Sequence, residues 1–274
     1  MKRLWIAMVV TIIAAAGCDS SKSGDTDQAV GAKPSATPAI PATTTEPAEK
    51  DAVAAFVRLG ATVKLSDGRV AELDLGKSQA ADADLANLRA LIDLKSLKLT
   101  KCPVTDAGLQ HLAGAAKLRM LRLSGSKITD AGLAQLAPLA DLRELDLSQT
   151  AVGDAGLGHL EKLPALAKLN LYTTNVTDAG LAHLAKLQGL KWLNLDKTAI
   201  TDAGLVKLEG LRQLEFLHVG RTQVSDAGVA SLAKLTALTT IHVTRTRISD
   251  EGVKKLQHAL PHCTIVSKVE ESKQ

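Results

Sequence analysis

The feature that most constrains this chain is a 24-residue unit that recurs seven or eight times. One copy runs from Leu145 to the equivalent Leu169, and its clearest marker is an Asp followed two residues later by a Gly. These aspartates keep one register throughout, at Asp106, Asp130, Asp154, Asp178, Asp202, Asp226 and Asp250. A fixed period of this length is typical of stacked repeat proteins, in which each unit packs only against its neighbours.

The composition restricts both the core and the class of partner. Apolar residues make up 46% of the chain but aromatic residues only 2%, so the core must consist of Leu, Val, Ile and Ala. The net charge is +4, from 33 basic and 29 acidic residues without a basic cluster, which argues against a nucleic-acid partner. Cys102 and Cys263 lie seven repeats apart, about 33 Å in a stack of strands, so we expect no disulfide between them.

Each unit divides into a strand, a corner and a short helix. Leucines at two-residue spacing, as at Leu121 and Leu123, predict strands with one apolar face. Three residues later stands a small side chain that we expect to bond the backbone amides leaving the sheet. These corner residues are Ser78, Cys102, Ser126, Thr150, Thr174, Thr198, Thr222 and Thr246.

The third part of each unit begins with Thr or Ser before the repeated Asp, as at Thr129 and Asp130. Either residue is suited to cap a helix, and 24 residues leave room for about two helical turns. A metal or catalytic role for the aspartates is the weaker interpretation, because no second carboxylate recurs beside them. The Ala and Gly that follow allow neighbouring helices to approach closely.

A cap is expected before the first repeat, at residues 51–72. Val53, Phe56 and Val57 share one face at helical spacing, which predicts a helix over residues 48–60. Asp67-Gly68 between apolar residues predicts a hairpin. The two together would cover the apolar end of the stack.

The amino terminus has the features of a secretory signal, with Lys2 and Arg3 before an apolar run and small residues before Cys18. Ala15-Ala16-Gly17-Cys18 resembles the lipobox of bacterial lipoproteins, although the family usually has Leu where Ala15 stands. The resemblance implies a signal at residues 1–18, acylation of Cys18, contact with a lipid bilayer, and a bacterial envelope location outside the cytoplasm. An ordinary signal with a chance cysteine is the alternative. Residues 19–50, rich in Pro, Ala, Thr and Ser, predict a disordered linker.

The pattern from Leu142 to Thr150, L-x-x-L-x-L-x-x-T, is similar to the leucine-rich repeat, and the continuation T-D-A-G-L resembles a bacterial subclass of it. The resemblance implies an α/β solenoid that is curved, with parallel inner strands and short outer helices. We expect the repeat domain to occupy residues 73–266 and to end in a closing strand, with a polar tail at 267–274. Protein binding on the concave face is the use that the resemblance implies.

The candidate partner-binding residues are those that the repeat pattern places on the concave face. Tyr172, Trp192 and Phe216 fall in three consecutive repeats, and none is needed for a leucine core. The other candidates on this face or bordering it are Met120, His218, His242, Arg221 and Arg245.

The two histidines should be cross-strand neighbours. Asp196 is the one plausible further metal ligand beside them, so a weak pH-sensitive patch is favoured over a metal site.

No Ser-His-Asp set, phosphate-binding loop or metal spacing points to an enzyme or a cofactor. The sequence therefore predicts a non-catalytic, membrane-tethered protein that binds a protein or peptide. The alternative is a structural or adhesive component that binds polysaccharide or peptidoglycan, with Asn170 and Asn194 beside the aromatic residues.

Overall fold

The computed structural model describes residues 46–268, which belong to one compact unit, Thr44–Gln274. The predicted signal with Cys18, most of the predicted linker and most of the polar tail lie outside the described residues.

Ten strands form one sheet in the order of the sequence. The first two form an antiparallel hairpin, and each later pair is parallel, with equivalent leucines in register, as in Leu97 beside Leu121. The strands are β1 (Thr62–Ser66), β2 (Arg69–Asp74), β3 (Ser96–Lys98), β4 (Met120–Arg122), β5 (Glu144–Asp146), β6 (Lys168–Asn170), β7 (Trp192–Asn194), β8 (Phe216–His218), β9 (Thr240–His242) and β10 (Thr264–Val266).

Short helices connect the strands, as the repeat length requires. They are α1 (Glu46–Arg58), α2 (Asp106–Leu109), α3 (Asp130–Leu133), α4 (Asp154–Leu160), α5 (Leu181–Leu184), α6 (Asp202–Leu208), α7 (Val229–Leu232) and α8 (Asp250–Ala259). Single 3₁₀ segments occupy Asp84–Ala90, Gln110–Leu112, Ala134–Leu136 and Asp226–Gly228.

The core is a continuous column of aliphatic side chains between the sheet and the helices. The middle residue of each three-residue parallel strand from β3 to β9 is fully buried, whereas its two neighbours are partly or largely exposed, as in Glu144, Leu145 and Asp146 of β5. We call the side that carries these neighbours, together with the residue three positions beyond the middle one, the open sheet face. The α/β solenoid with parallel strands and short helices is thus as predicted.

The repeated aspartate does not cap its own helix, and this part of the prediction is wrong. Asp106 accepts hydrogen bonds from the amide and the hydroxyl of Thr129, one repeat later, at 2.8 and 2.5 Å. The Thr129 hydroxyl in turn accepts from the amide of Ala131 and caps the next helix. A carboxylate that accepts two bonds satisfies groups which a helix start would otherwise leave unpaired. We call this series the aspartate ladder. Its first member is Asp82, one repeat before Asp106 and not among the predicted aspartates.

The repeated glycine belongs to the same ladder. A Cβ built on Gly156 would lie 2.5 Å from Oδ1 of Asp130 in the preceding repeat. The prediction that small residues permit close approach is therefore correct, but what approaches the glycine is the carboxylate of the ladder. One repeat is incomplete, because Gly153 stands where its equivalents have Thr or Ser. It offers Asp130 only its amide, at 2.6 Å.

Most corner hydroxyls donate to a backbone carbonyl three residues earlier, a bond that we did not expect. The expected bonds from backbone amides are found at Ser78, Thr222 and Thr246. The hydroxyl of Thr150, for example, donates to the carbonyl of Leu147 at 2.6 Å. This geometry follows because the chain turns back on itself within three residues and leaves that carbonyl without a strand partner. Cys102 donates from Sγ to the carbonyl of Leu75, and it and Cys263 are both buried and free.

The cap helix begins at Glu46, two residues before the predicted helix of residues 48–60, so its first turn lies in the segment assigned to the linker. The cause is Glu49, which is buried, accepts from the amide of Val70 at 2.8 Å and pairs with Arg69 at 3.0 Å. Phe56 is fully buried against the first repeats. The hairpin turns at Asp67 and Gly68, both with positive φ, as a two-residue turn of this type requires.

Candidate functional site

The open sheet face brings Trp192 and Phe216 together. They start the adjacent strands β7 and β8 and stand directly opposite each other in the register. Their rings stack with centroids 4.8 Å apart and planes within 7°. Both remain half-buried with no aliphatic core around them, so they form an apolar surface that the fold itself does not need.

The stack continues into β9 through the histidines. The ring of His242 lies 5.3 Å from that of Phe216 and 4.7 Å from that of His218. Because β8 lies between β7 and β9, Trp192 and His242 cover opposite faces of Phe216. Trp192 keeps one face towards a depression whose lining includes Lys168 and Asn170.

Tyr172 adjoins this stack through a charged pair. The guanidinium of Arg221 lies 5.3 Å from the centre of the Tyr172 ring. The same guanidinium bonds both oxygens of the buried Asp196, with Nε 2.9 Å from Oδ1. This hydrogen bonding raises the pKa of Arg221 above its already high value. Asp196 therefore fixes Arg221 over the tyrosine, at the distance of a cation–π contact.

His218 lies beside this pair without being bonded to it. Its Nε2 is 4.0 Å from Oδ1 of Asp196, and within the described residues it has no hydrogen-bond partner. Gly220 makes room for the ring, because a Cβ there would lie 2.8 Å from that nitrogen. Burial lowers the pKa of His218 and of His242, so both are neutral at neutral pH. Nowhere in residues 46–268 do three or more His, Cys, Asp or Glu side chains group as metal ligands would.

Two of the sequence candidates lie apart from the stack. Met120 starts β4, three strands from Trp192 or about 14 Å away, and contacts Ser96. Arg245 is exposed just beyond β9. Cys18 lies outside the described residues.

Sequence reasoning missed the organising role of Asp196. It stands in the column of Tyr172 and Gly220, a column that otherwise holds small or aromatic residues. The available signal was that Asp196 is the one acidic residue of its column and that Arg221 stands close to the equivalent position in the next repeat.

Asn170 and Asn194, suggested as sugar ligands, instead use their side-chain oxygens to accept hydrogen bonds from the amides of Tyr172 and Asp196, at 3.1 and 2.9 Å.

The helices of the described part are too short or too polar for any of them to cross a bilayer.

Comparison with known proteins agrees with this architecture. The family model described as a leucine-rich repeat region matches residues 75–268. Among 431 matching chains of solved structures is internalin C2 from Listeria monocytogenes. It is 27% identical, with a TM-score of 0.62 over 81% of this chain and 93% of the internalin chain. A search of curated protein sequences gave no match. With the matched region covering every repeat after the cap, the chain belongs to the leucine-rich repeat family.

Proposed function

We propose that this chain is a non-catalytic, membrane-tethered binding module that docks a protein or peptide on its open sheet face. The leucine-rich repeat fold suggests a protein-interaction module. The observation that carries the proposal is the stacked pair of Trp192 and Phe216, half-buried on a surface where no packing requirement explains them. Rigid aromatic side chains of this kind dominate the energetics of protein interfaces.

The site around the pair is preorganised. Arg221 is held over Tyr172 by a buried carboxylate, and His242 supports Phe216 from the side opposite Trp192. Side chains that are already ordered lose little entropy on binding, so more of the contact energy is available as affinity.

A protein ligand is supported over a polysaccharide. Stacking on a sugar requires an open ring face, and of the stacked pair only Trp192 has one, towards the depression beside Lys168, because both faces of Phe216 are covered. The side-chain oxygens of Asn170 and Asn194 each accept one hydrogen bond from a backbone amide, which uses one of the two lone pairs of each oxygen. Apart from that one face of Trp192, the patch presents ring edges, which suit apolar side chains of a polypeptide.

Tethering is proposed from the sequence. The apolar run before Cys18 and the small residues Ala15, Ala16 and Gly17 support a lipid anchor on that cysteine. Several acyl chains make such anchoring stable. The proposed location is the bacterial cell envelope, outside the cytoplasm.

The experiment is a capture from native envelope extract with the compact unit Thr44–Gln274 as bait. Wild type is compared with a Tyr172→Ala, Trp192→Ala, Phe216→Ala variant whose circular dichroism shows that it folds. A protein retained by the wild type and lost by the variant is the expected result.

The matched control changes the same two columns in an early repeat, with Ser96→Ala and Thr100→Ala, and should retain the protein. Equal capture by all three baits would move the site away from the aromatic patch. Retention of a cell-wall polymer in place of a protein would favour the adhesive alternative.

A further inference from the structure

A row of cations borders the aromatic patch where the strands end. Lys197, Arg221 and Arg245 occupy equivalent positions in three consecutive repeats, just beyond β7, β8 and β9. All three are exposed and adopt positive φ, between 51° and 59°. Adjacent strands place these positions about 4.8 Å apart. We call this row the basic ledge.

The ledge carries charge that the described part of the protein does not neutralise. It lines a shallow groove together with uncharged residues such as Asn175 and Gln223, and no carboxylate lines that groove. Arg221 is paired with Asp196. Lys197 and Arg245 have no ion pair among residues 46–268.

The cationic run is confined to the neighbourhood of the aromatic patch. In the three preceding repeats the same position is held by uncharged residues, Gly125, Gln149 and Thr173. Two further lysines of the column, Lys77 and Lys101, stand at the far end of the sheet. Positive charge therefore concentrates beside Tyr172, Trp192 and Phe216, and Arg221 belongs to both surfaces.

We propose that the basic ledge binds an acidic stretch of the polypeptide whose apolar side chain contacts the Trp192–Phe216 stack. The inference rests on the proposed function and names the chemistry of its partner. Arginine and lysine form charge-assisted hydrogen bonds with carboxylates, and guanidinium matches them in a bidentate geometry. Opposite charges around an apolar centre set register and speed association.

A polypeptide fits the combined surface best among polyanions. An extended chain advances about 3.3 Å per residue and places same-side side chains about 6.6 Å apart, within reach of long cations about 4.8 Å apart. It also supplies an apolar side chain next to its carboxylates. Polyphosphate supplies charge without an apolar group. A uronic-acid polymer could stack only on the one open ring face, that of Trp192, because both faces of Phe216 are covered.

The test uses the full chain in mild detergent with Trp5→Phe, so that Trp192 is its one tryptophan. The probe is a fluorescein-labelled peptide of one leucine followed by six glutamates. Two control peptides are compared with it: one has glutamine in place of every glutamate, and the other has serine in place of the leucine. Binding is followed by anisotropy and by the emission of Trp192. Polyphosphate and hyaluronate are titrated as competitors.

The glutamate peptide should bind and change the Trp192 emission, and the glutamine peptide should bind at least about tenfold more weakly. Lys197→Glu with Arg245→Glu should lower the affinity by about tenfold or more. Arg221 is left intact because it positions Tyr172. The control Lys77→Glu with Lys101→Glu makes the same change in net charge and should keep the wild-type affinity. Raising the salt from about 0.1 to about 1 M shortens the screening length from about 10 to about 3 Å and should weaken binding.

Several results would overturn the inference: no binding of the glutamate peptide, equal losses in both charge-reversal variants, or tighter binding of polyphosphate or hyaluronate. Failure of the proposed function is separable. If the protein captured on the aromatic patch is unaffected by Lys197→Glu with Arg245→Glu, the patch binds without the ledge. If the peptide binds the ledge equally well after Trp192→Ala and Phe216→Ala, the ledge acts without the patch.

Discussion

Two glycines of one helix should respond in opposite ways to the same substitution. Gly156 and Gly158 both lie in α4. A Cβ on Gly156 would lie 2.5 Å from Oδ1 and 3.1 Å from Cα of Asp130, so the ladder carboxylate or the backbone must move. A Cβ on Gly158 would have the ring of His183 as its nearest neighbour, at 3.4 Å, an ordinary van der Waals contact.

The magnitudes follow from these contacts. Gly156→Ala displaces the carboxylate that accepts from the Gly153 amide at 2.6 Å. A hydrogen bond to a charged group contributes about 1.5–3 kcal/mol, and overpacking costs about 1–3 kcal/mol. Replacing a helical glycine by alanine returns at most about 1 kcal/mol. The net loss is about 3 kcal/mol for Gly156→Ala, whereas Gly158→Ala should gain about 0.5–1 kcal/mol.

The assay is thermal unfolding followed by far-ultraviolet circular dichroism. For a domain of this size 1 kcal/mol shifts Tm by about 2–4 °C. Gly156→Ala should therefore lower Tm by about 6–12 °C, and Gly158→Ala should raise it by about 1–4 °C. Equal Tm values for the two variants would refute the idea that the carboxylate of one repeat requires glycine in the next.

Three further predictions concern other parts of the chain. Gly153→Thr should stabilise the protein by about 1 kcal/mol in urea denaturation, because it restores the missing hydroxyl towards Asp130. The side chain has room, since a Cβ at this position would lie 3.6 Å from its nearest neighbouring atoms. A loss of stability would contradict the role given to the ladder hydroxyls. Lowering the pH from about 7 to about 5 should destabilise the wild type more than His218→Gln, because the folded pKa of His218 is depressed by burial and the unfolded chain takes up the proton first, near pH 6.5. Parallel Tm profiles of the two proteins would show that His218 is not responsible. Cys18→Ser should move the protein from the membrane to the soluble fraction, and unchanged fractionation would disprove the lipid anchor.

Structural features that recur with the 24-residue period are predicted well from the sequence. Strand register follows from leucines such as Leu97 and Leu121, and the convergence of Trp192 and Phe216 follows from their equivalent positions. Period two assigns a side chain to a face, and a fixed repeat length assigns it a neighbour.

The sequence could not predict contacts that join non-equivalent positions of neighbouring repeats. The aspartate ladder joins an Asp to a Thr 23 residues later, and a pattern of residue types does not show which of two possible caps a carboxylate serves. Asp196 is buried because Arg221 reaches back across one strand to it. Glu49 lies within the predicted helix of residues 48–60, but its buried contact with the amide of Val70, 21 residues later, follows no periodic pattern.

The most direct test of the central claim is site-specific photo-crosslinking in intact cells. A photoreactive amino acid replaces Phe216 on the open sheet face in one variant and Val206 in another. Val206 is an exposed apolar residue of α6, 56% accessible, outside the sheet. We predict a crosslinked protein adduct from position 216 and none from position 206. An adduct from position 206 alone would contradict the account and place the working surface on the helices.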